Sequence, residues 1–221
     1  MGKKKMQFSF VRPELNLLLL LSSVNILSLL LIALNSEVLV SLDLYFSNKD
    51  AELKPLLLQL TAPAEEIGNI QNVIIYISLL LLIDLFLTRS FFTLISGLLC
   101  TFLVILAVFS LKVLTARLGP TNSQGYFFDE SITALQGVFP SGHQSLVTLA
   151  ALLSFLTLAK LVNFKLLIIP CLLIVAYEGF SLWYLSHHWL SDIIFGFTLS
   201  LFLVTVSRTL TSKFEKIAKI N

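Results

Sequence analysis

Charge is what this sequence has least of. Charged residues fill 13% of its 221 positions, about half the share usual in a soluble domain. Hydrophobic residues fill 57%, and the mean hydropathy is +0.91. A chain this apolar cannot cover itself with polar groups in water, which excludes a soluble domain and makes lipid the solvent. The formal net charge of +2 is too small to hold a nucleic acid, whose binding rests on many cationic contacts. Cysteine is nearly missing: Cys100 and Cys171 both lie inside apolar runs, without the spacing of a disulfide framework or a thiolate metal site, and read as small core residues. No metal and no cofactor is expected. Histidine occurs three times only, at His143, His187 and His188.

What is present in abundance is long apolar runs. A spanning helix needs about 20 mainly apolar residues, and six stretches qualify, near 15–34, 71–88, 91–112, 141–160, 165–185 and 189–207. Backbone in lipid must satisfy its own hydrogen bonds, so these are helices. The expected fold class is all-α, an integral membrane bundle of six transmembrane helices in one domain over residues 1–221. Lys3, Lys4 and Lys5 precede the first run, and no small-residue cleavage site follows it. That run is expected to be a retained span, with residues 1–14 cytoplasmic. Two connections are long. Residues 35–70 carry Pro55, Pro63 and a partly alternating stretch over 38–46 suited to the membrane interface. Residues 113–140 are rich in Gly, Pro, Ser and Asn.

The basic residues orient the bundle. With the N-terminus inside, Lys3, Lys4, Lys5, Arg12, Arg89, Lys160, Lys165, Arg208, Lys213, Lys216 and Lys219 are cytoplasmic, and Lys49, Lys54, Lys112 and Arg117 are outside. Both termini are then cytoplasmic, residues 208–221 form a basic cytoplasmic tail, and all three histidines sit at outer helix ends. A plasma membrane, bacterial from the small size of the chain, is the expected location.

Three segments at that outer face carry chemistry. Pro140-Ser141-Gly142-His143 opens the fourth run. Ser caps a helix, Gly admits a ligand close to the backbone, and free N–H groups at a helix start bind phosphate. A plain helix start with a solvated histidine has the same four residues. His188 and Asp192, four residues apart, share one helical face, and a carboxylate beside an imidazole fixes its tautomer and stabilises its cation. An interfacial histidine with a dipole-favoured Asp is the bland alternative. Lys112 and Arg117 end the third run and are spaced to embrace a phosphate. Glu178, an acid inside the fifth run, is a candidate site residue expected to contact Arg117 or Lys112 or to help shape a modified pocket. Asp84, in the second run, lies toward the cytoplasmic side and reads as structural.

Taken together, over residues 90–207, the three segments resemble the signature of the type-2 phosphatidic acid phosphatase family, membrane relatives of the vanadium-dependent haloperoxidases. Lys112 through Arg117 to Pro120 matches the first motif, Pro140-Ser141-Gly142-His143 the second intact, and Ser181, His188 and Asp192 the third. Two family arginines are replaced, by Gly119 before Pro120 and by Leu182 after Ser181. Arg117 is the candidate substitute for the first. The resemblance implies a metal-independent hydrolase of a lipid phosphate or diphosphate. His188 would be the nucleophile, forming a phosphohistidine, Asp192 its orienting partner, and His143 the acid and base. Lys112, Arg117, Ser141 and Gly142, with Glu178 and His187 as further candidates, would surround the phosphate. The implied partners are the lipid phosphate and the membrane lipids, with no obligate protein partner. The alternatives are a catalytically silent relative that binds lipid phosphate or a partner protein, favoured by the lost arginines, and a small transporter or channel component, disfavoured by the scarcity of polar residues at mid-membrane.

Overall fold

A computed structural model describes residues 13–34, 36–47, 55–120 and 137–218. In chain order its helices are α1 (Pro13–Ala33), α2 (Glu37–Tyr45), α3 (Pro55–Thr61), α4 (Pro63–Gly68), α5 (Ile70–Thr88), α6 (Phe91–Thr115), α7 (Gly142–Leu158), α8 (Phe164–Tyr184) and α9 (Leu190–Ala218). The described chain is all-α and forms an integral membrane bundle. Lys3, Lys4, Lys5, Arg12, Lys49, Lys54 and Lys219, on which part of the orientation rests, lie outside the described residues.

Local sequence explains the boundaries. Asn69 caps α5 by accepting from the Gln71 N–H at 2.9 Å, and Asn163 caps α8 by accepting from Lys165 at 3.0 Å. The α5 helix ends at Arg89 and α6 at Ala116, each in the left-handed conformation with φ of 51° and 41°. Pro55 and Pro63 open α3 and α4, using proline where a missing N–H costs nothing. The described part of the 35–70 connection is therefore largely helical. Its 38–46 stretch, which reads as interfacial from its pattern, lies mostly in α2.

Five helices, α1, α5, α6, α8 and α9, are long and apolar enough to cross a membrane. The sixth expected span, α7, has 17 residues and falls short of that length. The reason lies in its position. It packs against α4, α5, α6, α8 and α9, so its surroundings are mostly protein and it does not need a full lipid-facing band. Its buried face carries Ser145, Thr148, Ala150, Ala151, Ser154 and Thr157, small and hydroxylated residues that let helices approach where lipid offers no hydrophobic drive. The Ser200 hydroxyl donates to the Ser145 carbonyl at 2.7 Å, and Tyr76 and Ser154 share a hydroxyl hydrogen bond of 2.8 Å. A methyl group on Gly196 would lie 2.8 Å from the Ser141 carbonyl oxygen and 2.9 Å from the Ser145 hydroxyl. Only glycine permits so close a crossing of α9 over the start of α7.

The last helix runs to residue 218, well past the expected limit of 207, because the polar segment after Arg208 continues the helix beyond the apolar band. At that end Asp84 is paired with Lys160, in keeping with a structural role. The outer surface of the bundle is apolar, with Leu20, Phe86, Leu114 and Leu166 each more than half exposed, as a lipid-facing surface requires.

Candidate active site

The start of α7, the loop before α9 and the end of α6 meet at the opposite end of the bundle from the Asp84–Lys160 pair. Ser141 is the cap of α7: its side chain accepts from the Gln144 N–H at 3.3 Å, and its own N–H donates to the Asp192 carbonyl at 3.2 Å. The N–H groups of Gly142 and His143 have no hydrogen-bond partner among the described residues. They form the positive end of a helix facing a pocket. Lys112, in the last turn of α6, lies against this helix start. Its Cε would be 3.9 Å from a methyl placed on Gly142, and its ammonium donates to the Gly137 carbonyl.

His188 occupies the loop between α8 and α9. Its N–H and that of His187 turn back to the Leu182 carbonyl, at 3.4 and 3.0 Å, and Ser186 turns the loop with a φ of 57°. Asp192 lies in the first turn of α9. Its Oδ2 accepts from the Trp189 N–H at 3.0 Å and lies 3.6 Å from His188 Nδ1. That is an ion-pair distance, longer than a hydrogen bond, of the kind that tightens when substrate arrives. With Nδ1 turned to Asp192, Nε2 is the nitrogen left to react. Burial pushes the His188 pKa down. Asp192 opposes the shift, while Lys112 and His187 add to it. The imidazole is therefore neutral, hence nucleophilic, at ordinary pH. His143 lies within electrostatic range of His188, His187, Lys112 and Glu65.

Arg117 takes a different position from the one its spacing suggests. Its guanidinium donates to Asp43 at 2.6 Å, to Asp192 Oδ1, and to the Ser191 hydroxyl at 2.8 Å, and all three charged groups are buried. Asp43, on α2, also accepts from the Ser191 N–H at 3.0 Å and from the Ser191 hydroxyl at 2.5 Å. Sequence reasoning missed both Asp43 and Ser191. One signal was available for Asp43: an acid between Leu42 and Leu44 in an apolar stretch needs a partner. Trp189 fastens this layer, with its indole N–H on the Leu118 carbonyl at 2.8 Å.

Glu178, on α8, contacts neither Arg117 nor Lys112, which leaves the other expectation, a part in shaping the pocket. Glu178 is fully buried, and neither carboxylate oxygen has a hydrogen-bond partner among the described residues. A methyl on Gly68 would sit 2.4 Å from Glu178 Oε1 and 2.4 Å from His143 Cδ2, so α4 covers these two side chains together. Ser181 Oγ and Gln144 Oε1 are also buried, with no hydrogen-bond partner among the described residues; Gln144 is a third residue that the sequence did not single out. His187 stands at the rim, its Nε2 3.5 Å from Glu65 of α4. At Gly119, where the family has arginine, a methyl would already meet Val138 at 2.9 Å. Leu182 is buried.

Comparisons with known proteins bear on the family and the fold. The profile of the PAP2 superfamily matches residues 87–216, which contain every one of the three motif segments. The fold is similar to the crystal structure of the first transmembrane PAP2-type phosphatidylglycerolphosphate phosphatase from Bacillus subtilis. The TM-score is 0.67 at 21% identity, covering 87% of this chain and 96% of that one. No curated protein matches this sequence.

Proposed function

The chain belongs to the PAP2 superfamily, and on that premise we propose that it is a metal-independent lipid phosphatase working through a phosphohistidine at the outer membrane face. The observation that carries this reading is the meeting of a buried neutral imidazole, His188, with Asp192 behind it and the unbonded N–H groups of an α7 start in front. In the first step His188 Nε2 attacks phosphorus. The bond from phosphorus to the leaving oxygen breaks, and protonated His143 gives that oxygen its proton. Asp192 offsets the positive charge left on the His188 ring. In the second step neutral His143 takes a proton from water, the oxygen attacks phosphorus, and the bond to His188 breaks to free inorganic phosphate. Lys112 and the N–H groups of Gly142 and His143 hold the phosphoryl oxygens as charge builds. Ser141 supports that helix start as its cap. Arg117 serves the phosphate at one remove, by holding Asp192. Glu178, buried beside His143 with its oxygens unbonded, is placed to accept hydrogen bonds from a hydroxyl-bearing leaving group.

The substrate is a lipid phosphate or diphosphate, with its head group at this site and its chain between helices. A cavity of about 430 Å³ between α5, α7 and α8 suits the chain. It begins at Ile67, next to the Gly68 that covers His143, and follows Val147, Ala151 and Ser154 down to Leu158. Small side chains along α7 make that space. Phosphatidylglycerol phosphate, the substrate named for the Bacillus subtilis relative, is the first to try, with phosphatidic acid and polyprenyl diphosphate beside it. The test is phosphate release by detergent-purified protein without added metal, with His188→Ala in parallel. Release by the native chain and loss of at least a thousandfold in His188→Ala, at unchanged folded yield, supports the reading. Equal release by the mutant removes the nucleophile. No release from any lipid by folded native protein turns the reading to a silent lipid-phosphate binder, with Gly119 and Leu182 as the cause.

A further inference from the structure

Two buried carboxylates share one guanidinium in this protein, and only one of them touches a histidine. Arg117 donates to Asp192 Oδ1 and, through its other terminal nitrogen, to Asp43 Oδ2 at 2.6 Å; Ser191 closes the figure with bonds to Asp43 and Arg117. Asp43, Arg117 and Asp192 are each at most 4% exposed. Buried charges of this kind are costly unless paired and hydrogen-bonded, so a third charged group in the cluster calls for a reason.

Charge balance supplies one. If Arg117 faced Asp192 alone, the pair would be neutral, and Asp192 would offer little to a cation forming on His188. With Asp43 drawing on the same guanidinium, the charge of Arg117 is divided between two carboxylates. Asp192 then keeps more of its negative charge toward His188, with Oδ2 3.6 Å from Nδ1. We propose that Asp43, on α2 and outside all three motifs, is a positioning residue of the phosphatase site: it takes up the charge of Arg117 so that Asp192 stays anionic toward His188. The proposal rests on the phosphatase reading above for its kinetic consequence, though not for its electrostatic one. It also gives Arg117 its purpose in a chain that has Gly119 where the family has arginine: the guanidinium builds the nucleophile's support.

The groups facing His188 are Asp192 on α9, Lys112 on α6, His143 on α7 and His187 in its own loop; Glu65 on α4 acts on His187 and His143, and Glu178 on α8 lies beside His143 under Gly68. None of these changes in an Asp43→Asn variant, so a shift in His188 titration reports the Asp43 charge. The experiment measures two things on purified full-length native, Asp43→Asn and Asp43→Glu proteins: the titration of His188 by NMR of isotope-labelled histidine, and kcat and KM on whichever lipid phosphate the native chain cleaves. In Asp43→Asn the His188 titration moves to lower pH, kcat falls about ten- to a hundredfold, and KM changes less than threefold, in the range seen when an outer partner of a reactive histidine is removed. Asp43→Glu restores part of both. Should Asp43→Asn fail to fold, Ser191→Ala tests the same link without stranding a charge, with kcat down about threefold at native yield. Unchanged titration and kcat in the folded variant would overturn the proposal, as would a loss confined to folded yield. A native chain that cleaves no lipid, with His188 still shifted by Asp43→Asn, would defeat the phosphatase reading and leave the electrostatic link standing.

Discussion

At the scale of single residues, burial and a carboxylate act on His188 in opposite senses. Removal from water disfavours the charged ring and lowers its pKa; Asp192 raises it, and burial prevails. A group with lowered pKa keeps its neutral form until pH falls below the ordinary imidazole range near 6.5. The acidic limb of kcat/KM assigned to His188 is therefore expected below that range, and activity should persist in mildly acidic buffer. In Asp192→Asn the influence that raises the pKa is lost. The limb should move to still lower pH while kcat drops about a hundredfold or more. Comparing the two proteins on one substrate cancels the titration of the phosphate itself. A limb that moves upward in Asp192→Asn would mean that Asp192 does not act on the nucleophile. The sequence singled out His143, His188, Asp192 and Ser141 as candidates because their partners are near in sequence or follow from helical periodicity. It did not reveal Asp43 or the unbonded state of Glu178, since these depend on contacts between helices distant in the chain, such as Arg117 with Asp43 and Gly68 over Glu178. It placed Arg117 on the phosphate for the same reason: spacing alone says nothing about which buried acids compete for a guanidinium.

At the scale of helices, the site depends on how closely α9 crosses α7. Gly196 lies one turn after Asp192, and a side chain there would strike the Ser141 carbonyl and the Ser145 hydroxyl. The same crossing brings the Ser141 N–H onto the Asp192 carbonyl at 3.2 Å. Gly196→Val must therefore push the two helix starts apart, and with them the proposed nucleophile from the proposed phosphate cradle. A misplacement of about 1 Å can cost a hundredfold in rate, and overpacking costs about 1–3 kcal/mol. The expected result is a protein that still extracts and runs as the native fold in detergent, with thermal stability lowered and kcat down at least tenfold. Gly196→Ala should show the same losses at smaller size. Native kcat in both would mean that the crossing is not what positions the site. Five of the six runs were legible as spanning helices because each carries an apolar band long enough for lipid. The length of α7 was not, since a helix enclosed by other helices obeys packing rules and not bilayer thickness. The α2 helix was hidden for a related reason: a short helix with one buried acid has no periodic signature strong enough to separate it from an interfacial loop.

At the scale of the whole molecule, the two ends of the bundle differ in kind. One end gathers His143, His188, Lys112 and the start of α7; the other holds Asp84 paired with Lys160, with Arg208 lining the same recess. Basic residues favour the cytoplasmic side, and Arg89, Lys160, Lys165, Arg208 and Lys213 all belong to that second end. The excess over Lys112 and Arg117 at the first end is the ground for proposing an outward-facing site, within reach of a lipid head group in the outer leaflet. Both native cysteines are poorly placed for aqueous labelling, Cys100 buried and Cys171 only partly exposed within α8. Single added cysteines therefore report topology. Glu66→Cys, on exposed α4 above the site, should react with a membrane-impermeant maleimide in intact cells. Ser212→Cys, exposed near the end of α9, should react only after the membrane is opened. The reverse pattern would put the phosphatase site in the cytoplasm, and the substrate would then have to be sought in the inner leaflet. Reaction of both in intact cells would mean a chain without a fixed orientation. That outcome runs against the basic-residue asymmetry, because inverting the bundle would carry most of the cationic side chains to the outer face.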